Sequence, residues 1–412
     1  MGCKYALGEL CSFYRGASTP RARMYDEGDY LYIHYGELYK GFDVSIDVEN
    51  PQKPIPRILS SEKLRPSQFL KDQDIVYVLT SETVDDLGHA YLFNNPRHLE
   101  AVAGTETTIM RVERRDVVMP AYLNYMAQTP HFQALLRQYV KGMKVFRVHP
   151  NDLARIEIDL PGLEKQGKVV AFMDAVRGQE LNLNRTNGYL LELLKLEFAS
   201  KFETRNHQKK NLGEAVTLWK KTVKPNTQPD KLWEHYSIPA FDAGAYPSFE
   251  LGSSIKSGKY TVLPNSVLVS KLNPTTPRLW IPQIIDGDNA ICSTEFMEYV
   301  PNNPVHYGFY CSALMQDRFF SYLAAHVTGS TGSRQRVHPT DTLSYKIPTS
   351  DPIEIDSYCA FASPIIARAR IASLEAKQLT QLRDALLPKL MSGEIDVSKV
   401  ELPKPPNSHL CD

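Results

Sequence analysis

The chain has 412 residues, of which 42% are hydrophobic and 23% are charged, and its formal net charge at pH 7 is zero. This composition indicates a soluble chain with apolar material for two or three cores, so we expect more than one domain. No apolar run approaches the roughly 20 residues of a membrane helix, and the neutral net charge weighs mildly against a free-standing nucleic-acid binder.

The start of the chain, MGCKYALGELC, lacks a charged segment followed by an apolar core. We therefore expect no signal peptide, no membrane association and a cytoplasmic protein. The 6 cysteines form no C-x-x-C pair, which argues against a zinc knuckle and against a disulfide framework.

In chain order, the first half contains the alternating segment YLYIHYG, which suits a half-buried strand, and the helix-like stretch YLNYMAQTPHFQALLRQYV. A glycine-bearing basic loop at residues 142–144 leads to Arg147-Val148-His149-Pro150, with Asp152 two places further on. The segment ARIEIDLP then predicts a strand, and apolar spacing predicts a long helix from residue 163 to about residue 202.

The second half repeats these features in the same order. The helix-like stretch HYGFYCSALMQDRFFSYLAAHV precedes a glycine-bearing loop at residues 329–333, then Arg336-Val337-His338-Pro339 and Asp341, then the strand-like LSYKIP. Leu-Gly-Glu also occurs near the beginning of both halves. A four-letter match alone is weak, but several features in one order indicate an internal duplication.

A second long helix is predicted after Asp351, which supplies a cap before Pro352 at the first helical position. We expect Pro364 to kink or restart this helix, and glycines at 167, 178 and 188 make the first helix less certain to be continuous. A helix of about 40 residues spans roughly 60 Å, which is longer than a small domain needs. Antiparallel pairing of the two helices would create a pseudo-two-fold axis, the symmetry by which paired recognition units match DNA.

These features resemble the specificity subunits of type I restriction-modification systems over essentially the whole chain. The residues that carry the resemblance are LPGLEKQGKVVAFMDA (160–175), YSIPAFDAGAYP (236–247), LVSKLNPTTPRLW (268–280) and LRDALLPKLMSGEI (382–395). The second helix departs from the family pattern because it does not repeat the Glu-x-Gln of residues 164–166. The first domain matches only through scattered pieces, so no base preference carries over to it.

The resemblance implies an α+β fold in which two target recognition domains alternate with two long helices that pair as an antiparallel coiled coil. The expected segments are a first recognition domain (1–158), a central helical spacer (159–205), a second recognition domain (206–350), a C-terminal helical spacer (351–395) and a polar tail (396–412). It also implies no catalysis and no cofactor in this chain. The expected partners are double-stranded DNA, methyltransferase subunits that use S-adenosylmethionine, and a restriction/translocase subunit that uses ATP with magnesium.

The sequence agrees with a non-catalytic role. A DNA methyltransferase would need a glycine-rich cofactor turn after a strand and an Asn or Asp followed by Pro-Pro and an aromatic residue, and neither motif occurs. The sequence also lacks a G-x-x-x-x-G-K-[ST] motif, so we expect no ATP hydrolysis. The histidines form no H-E-x-x-H zinc motif, so we predict neither catalytic residues nor a metal site.

Basic and polar loop residues are the candidates for DNA contact, because a loop that aims a guanidinium at a base edge or phosphate is what recognition requires. We expect His149 and His338 only to cap their turns and Trp280 to lie in the core. We also expect the repeated motif to begin the last strand before each long helix. The predicted contacts are Tyr14, Arg15, Tyr32, His34, Tyr35, Lys141, Lys144 and Arg147 in the first domain, and Lys256, Ser257, Lys259, Lys271, Asn273, Arg278, Arg334, Gln335 and Arg336 in the second.

Two other functions stay open. One is a specificity module of another methylation-linked phage-defence system, which neighbouring genes would distinguish. The other is a two-domain scaffold that binds protein. The neutral charge favours the scaffold, and the arginine-bearing repeat loops oppose it.

Overall fold

The structure is a computed structural model that describes residues 3–39, 42–204, 207–329 and 335–397. The chain divides into two compact units, a first unit of residues 1–177 with 381–412 and a second unit of residues 178–380. Both units mix helices with strands, so the α+β class expected from the sequence is confirmed. The two units cut across the long helices, and the finer segment boundaries remain predictions.

The first unit is built on a five-stranded sheet and a three-stranded sheet. The five strands are, in spatial order, Cys11–Arg15, Thr107–Val112, Ile75–Val78, His89–Asn94 and Ser45–Asp47. The three are Arg57–Ile58, Tyr30–Ile33 and Ala101–Ala103, and two further pairs join Cys3–Ala6 to Glu157–Leu160 and Thr80–Ser81 to Phe146–Arg147. The short helices are Leu7–Leu10, Arg21–Arg23, Tyr35–Leu38, Pro66–Gln68, Pro120–Ala127, Pro130–Arg137 and Pro150–Leu153.

The second unit is built on a four-stranded sheet and a five-stranded sheet. The four strands are, in spatial order, Val216–Trp219, Phe296–Pro301, Val267–Ser270 and Leu279–Trp280. The five are Thr222–Val223, Lys259–Thr261, Ala290–Cys292, Leu232–Tyr236 and Ser248–Leu251, and two pairs join Lys209–Asn211 to Lys346–Pro348 and Val327–Thr328 to Arg336–Val337. The short helices are Leu212–Glu214, Pro225–Thr227, Ile238–Asp242, Gly252–Ser254, Pro304–His306, Tyr307–Leu314, Asp317–Ala325 and Pro339–Ser344.

An apolar strand lies inside the main sheet of each unit. In the first unit, residues 75–78 (IVYV) are all buried, and their side chains alternate between two separate hydrophobic clusters. In the second unit, Val267 and Val269 join one cluster while Leu268 joins another. A strand covered on both faces reads as a continuous apolar run rather than an alternating one, as these two do.

The central helix is Leu163–Phe198, followed by the π-helical turn Ala199–Glu203, and the C-terminal helix is Pro352–Ser392. The predicted helix start after Asp351 is confirmed, because the Asp351 carboxylate accepts a hydrogen bond from the backbone of Ile353 at 2.8 Å. The predicted restart at Pro364 is wrong, since the helix runs through it without interruption. The three glycines likewise leave the central helix unbroken, because packing of both helices outweighs their cost of about 1 kcal/mol each.

In the first unit, the beginning of the central helix is fixed by a fully buried glutamine. The Gln166 side-chain oxygen accepts from the backbone of Met119 at 2.9 Å, and its nitrogen donates to the carbonyls of Val117 and Pro161. Residues 169 and 173 of this helix share the core with residues 387 and 390 of the C-terminal helix. The Glu-x-Gln pattern therefore anchors the helix to the domain before it.

In the second unit, polar side chains of the central helix meet the C-terminal helix. Thr380 donates to Glu180 at 2.7 Å, and Asn187 donates to Ser373 at 2.7 Å. Further along, the Tyr358 hydroxyl donates to the carbonyl of residue 194 at 3.1 Å. Residue numbers therefore increase along the central helix while those of their partners decrease along the C-terminal helix, so the two helices run antiparallel in this unit. Both of these polar residues of the central helix, Glu180 and Asn187, therefore have a partner on the C-terminal helix.

None of the helices within the described ranges contains a segment long and apolar enough to cross a membrane.

Candidate nucleic-acid interface

The repeated motif of the first unit lies at one end of the five-stranded sheet. Arg15 is the last residue of its strand and is paired with Thr108, and the neighbouring strand begins directly after Glu106. Arg147 is paired with Thr80, and its guanidinium lies 3.5 Å from the Glu106 carboxylate. The Arg147 side chain is 58% exposed, so this end of the sheet presents a basic and an acidic group to solvent.

The other residues of this motif hold the arginine in place. Val148 is buried, and its backbone N–H donates to the carbonyl of Leu79 at 3.0 Å. The His149 ring nitrogen Nδ1 accepts from the backbone of Asn151 at 3.1 Å, at the start of the helical turn Pro150–Leu153. The capping role predicted for His149 is thereby confirmed.

The second motif has the same arrangement in the second unit. Arg336 donates from Nε and Nη2 to the two oxygens of Glu295 at 3.0 and 3.1 Å. Val337 is buried and donates its backbone N–H to the carbonyl of Lys271 at 3.1 Å. The backbone N–H of Asn273 donates to the carbonyl of Gln335 at 2.9 Å. Four predicted contact residues, at 271, 273, 335 and 336, are thus brought together.

The motif ends a two-residue strand in each unit and leads into a helical turn, Pro150–Leu153 or Pro339–Ser344. The prediction that it begins the last strand before each long helix is therefore wrong, because that turn intervenes. His338 occupies the N-cap position, and its ring nitrogen lies 2.9 Å from the Thr340 hydroxyl.

Corresponding positions carry corresponding chemistry in the two units. The motif valine bonds to a carbonyl just after the buried central strand, and the motif arginine pairs with a glutamate just before an adjacent strand. In each unit, the strand that follows the glutamate pairs with another strand that ends at or just before a basic residue. Arg15 is the last residue of that strand in the first unit, and Lys220 directly follows it in the second. We call Arg147 with Glu106, and Arg336 with Glu295, the two arginine–glutamate pairs.

Two residues predicted to contact DNA in the first unit are buried and form hydrogen bonds within the fold. Tyr32 is fully buried, and its hydroxyl donates to the carbonyl of Ala17 at 2.8 Å. His34 is 4% exposed, and its Nδ1 accepts from the backbone of Gly36. Burial lowers the pKa of His34, which favours the neutral ring that this acceptor role needs. Both side chains are therefore withdrawn from solvent.

The remaining candidates of the first unit differ in exposure. Tyr14 is half-buried with the Arg111 guanidinium 5.2 Å from its ring, and the Tyr35 ring lies 4.5 Å from that of His34. Arg15, Lys141 and Lys144 are exposed, although Lys141 donates to Asp152 at 2.8 Å.

Two candidates of the second unit are also withdrawn into the fold. Lys259 is 8% exposed, donates to the Ser257 hydroxyl at 2.5 Å, and has its pKa lowered by burial. Arg278 is bound by both oxygens of Asp242 at 2.6 and 3.0 Å. Trp280 is 4% exposed within a hydrophobic cluster, which confirms its predicted core position. Arg334 lies outside the described residues.

The second unit also has an exposed group of four lysines, of which only Lys256 was among the predicted contacts. Lys220, Lys221, Lys224 and Lys256 are exposed, and none forms an ion pair within the part of the chain that the structure describes. The pairing of Thr222–Val223 with residues 259–260 brings Lys224 alongside Gly258, two residues from Lys256. We call these four residues the lysine patch. In the sequence, the basic run KKTVK at 220–224 could have indicated three of these four lysines.

No group of three or more His, Cys, Asp or Glu side chains that could hold a metal ion occurs in residues 3–39, 42–204, 207–329 and 335–397.

Comparison with known structures finds one protein above a TM-score of 0.5 among the three described next, and that protein shares this fold. The type I restriction-modification system S subunit from M. genitalium matches with a TM-score of 0.58 and 15% identity, over 94% of this chain and 95% of that one. The HsdS subunit from Thermoanaerobacter tengcongensis matches with a TM-score of 0.35 and 15% identity, over 95% and 97% of the two chains. A third structure, titled for complex assembly and conformational transition of the type I R-M system, has a TM-score of 0.41 and 17% identity, over 96% and 98%. No family model and no curated protein sequence matches the chain.

Proposed function

We propose that this chain, which shares its fold with a type I restriction-modification S subunit over nearly its whole length, is a non-catalytic specificity subunit that reads a split, asymmetric DNA sequence. The observation that carries the proposal is the recurrence of one arginine–glutamate arrangement at the sheet end of both units. The residues around the two pairs differ, so the two half-sites would differ as well.

The charges of the second unit support DNA as the ligand. The lysine patch offers ammonium groups that form no ion pair with a described residue, although that of Lys220 lies 5.7 Å from the Tyr260 ring, and such groups neutralise phosphates. The arginine–glutamate pairs, in contrast, are close to electroneutral. Because the net charge of the whole chain is zero, we infer that partner subunits share phosphate neutralisation and that the isolated chain binds DNA weakly. Tight sequence-specific binding by the isolated chain at physiological salt would contradict this inference.

We assign the two long helices to spacing of the half-sites, as an antiparallel coiled coil that follows each recognition domain. Support comes from the opposed order of partners along the helices in the second unit, with 180 against 380 and 187 against 373. Small residues such as Ala372 and Ala376, packed on Leu183, allow close approach of the two helices.

The central helix also carries an unusual exposed apolar face, which we assign to docking of a methyltransferase subunit. Tyr189, Leu193 and Leu196 are 75%, 45% and 60% exposed, and their spacing of four and three residues places them on one side of the helix. Exposed apolar side chains that share a face indicate an interaction site. The methyltransferase would supply S-adenosylmethionine chemistry, and a restriction/translocase subunit would supply ATP-dependent cleavage.

Truncation of Tyr189 is expected to weaken binding of the methyltransferase subunit by about tenfold or more, because large aromatic anchors dominate interface energies. Tyr189→Ala should be compared with wild type by titration calorimetry against the purified methyltransferase subunit. Tyr25→Ala is the matched control, since Tyr25 is 44% exposed but lies in the first unit. Equal affinities for the two variants would remove Tyr189 from the docking surface.

The proposed function is tested by mapping methylated adenines in the host with and without this gene. We expect deletion to abolish one bipartite, asymmetric methylated motif. Exchange of residues 1–150 for another such domain should then change one half of that motif only. Unchanged methylation in a host that expresses the gene would contradict the proposal.

A protein-binding scaffold is the second candidate, favoured by the exposed apolar face and the neutral net charge. Absence of DNA protection by the complex assembled with its partner subunits would support the scaffold.

A further inference from the structure

In the two arginine–glutamate pairs, a carboxylate offsets the charge of an exposed arginine, which a contact to phosphate does not need. We infer that each pair reads base edges, one pair for each half-site, and that each glutamate also holds its arginine in position. This inference rests on the proposed function and assigns roles to individual side chains within it.

Electrostatics separates the pairs from the lysine patch. A carboxylate 3.0 Å from the guanidinium of Arg336 cancels much of its charge and would repel a nearby phosphate. The corresponding distance for Arg147 is 3.5 Å. Unpaired lysines serve the phosphate backbone better, because each neutralises one phosphate and releases its counterion.

The edge of a base pair presents hydrogen-bond acceptors and donors that match the arginine and the glutamate. In the major groove, guanine presents the acceptors N7 and O6, which match a guanidinium, while cytosine presents the N4 donor, which matches a carboxylate. An arginine beside a glutamate therefore complements a G·C base pair with both of its partners. We accordingly assign a G·C pair to the position that each arginine–glutamate pair reads.

The side chain of Arg336 is also held in a fixed position, as direct readout requires. Arg336 has its backbone bridged to Leu272, is followed by the buried Val337, and binds Glu295 through two nitrogens. Its side chain nevertheless stays 43% exposed. A planar guanidinium fixed by a carboxylate loses less freedom on binding than a mobile lysine. Lysine at this position would keep the charge and lose the fork.

The decisive variants are therefore Arg336→Lys and Glu295→Gln, with Arg147→Lys as the matched variant of the first unit. In the complex with the methyltransferase subunit, mapping of methylated adenines should show relaxation at one G·C position of one half-site. Discrimination against the other base pairs there is expected to fall by about 10- to 100-fold. Arg147→Lys should relax the other half-site instead.

Salt titration separates base reading from phosphate binding. The slope of log affinity against log salt for duplex DNA is expected to stay unchanged in Arg336→Lys and in Arg336→Gln. A loss of about one unit in Arg336→Gln, with an unaltered methylated motif, would identify a phosphate contact and overturn the inference while leaving the proposed function intact. Absence of any methylated motif that depends on the wild-type chain would instead overturn the proposed function itself.

Discussion

Replacement of all four residues of the lysine patch with alanine is expected to reduce the slope of log affinity against log salt for DNA by about 3 to 4. Each lysine that neutralises a phosphate contributes roughly 0.9 to this slope through counterion release. Between about 50 and 200 mM salt, the variant should therefore lose roughly 100-fold less affinity than the wild-type chain does. Fluorescence anisotropy with a labelled duplex measures both slopes.

A control variant with the same change in net charge shows whether the effect is local. The control replaces four exposed lysines outside the patch with alanine, namely Lys4, Lys63, Lys71 and Lys209. Its slope should stay near that of the wild-type chain. Equal slopes for the two variants would mean that only overall charge matters and that the lysine patch does not lie on DNA. The methylated motif is expected to survive in both variants, because phosphate contacts carry no sequence information directly.

Local sequence signals predicted the elements of this chain well, because their causes are local. An aspartate before a proline is enough to start a helix, and the C-terminal helix begins where that pair indicates. The order of features in each half could also be read directly, since duplication preserves order. The predicted restart at Pro364 was wrong, because the proline rule ignores the packing that keeps the helix continuous, and the strand predicted from the repeated motif was displaced by a helical turn.

Burial of individual polar residues could not be predicted, because it depends on which strands become neighbours. Tyr32 and His34 stand in an aromatic, basic stretch that resembles a binding loop, yet both are buried. Lys259 and Arg278 lie in polar surroundings in the sequence, but Ser257 and Asp242 bind their side chains within the fold. A polar sequence context therefore does not distinguish a solvent-facing side chain from one that supports a loop.

The partners of the motif arginines were invisible in the sequence for the same reason. Glu295 and Arg336 are 41 residues apart, and strand order alone brings them together. The repeated motif drew attention to the two arginines, but nothing adjacent to either copy pointed to a glutamate. The pairs emerged only when the same contact was found in both units.

The stability of the second unit is expected to decrease as pH rises from about 4.5 to about 7, because of one buried carboxyl group. Glu298 is 1% exposed, its Oε1 accepts from the backbone N–H of Leu263 at 2.6 Å, and its buried Oε2 has no hydrogen-bond partner among the described residues. Burial raises the pKa of Glu298 from 4.5 to about 7. Between these values the folded chain holds a proton that the unfolded chain releases.

The contribution of Glu298 to the free energy of unfolding should therefore be highest below the unfolded pKa, fall through this interval, and level off above about pH 7. One proton over about 2.5 pH units corresponds to a loss of roughly 3 kcal/mol. Glu298→Gln lacks this contribution because its amide does not ionise. The free energy of unfolding of the variant minus that of the wild type should therefore increase by about this amount as pH rises through the interval. Glu192→Gln, at an exposed site in the same unit, should show no such shift.

Urea unfolding followed by tryptophan fluorescence reads this unit selectively, because Trp219, Trp233 and Trp280 are the chain's 3 tryptophans and all lie within residues 178–380. Parallel pH profiles for wild type and Glu298→Gln would show that Glu298 ionises alike in the folded and unfolded chains. Such a result would require the carboxyl group to find a compensating donor or cation inside the sheet. Convergence or crossing of the profiles within the predicted interval would instead identify Glu298 as a buried acid that is neutral at mildly acidic pH and costly to ionise.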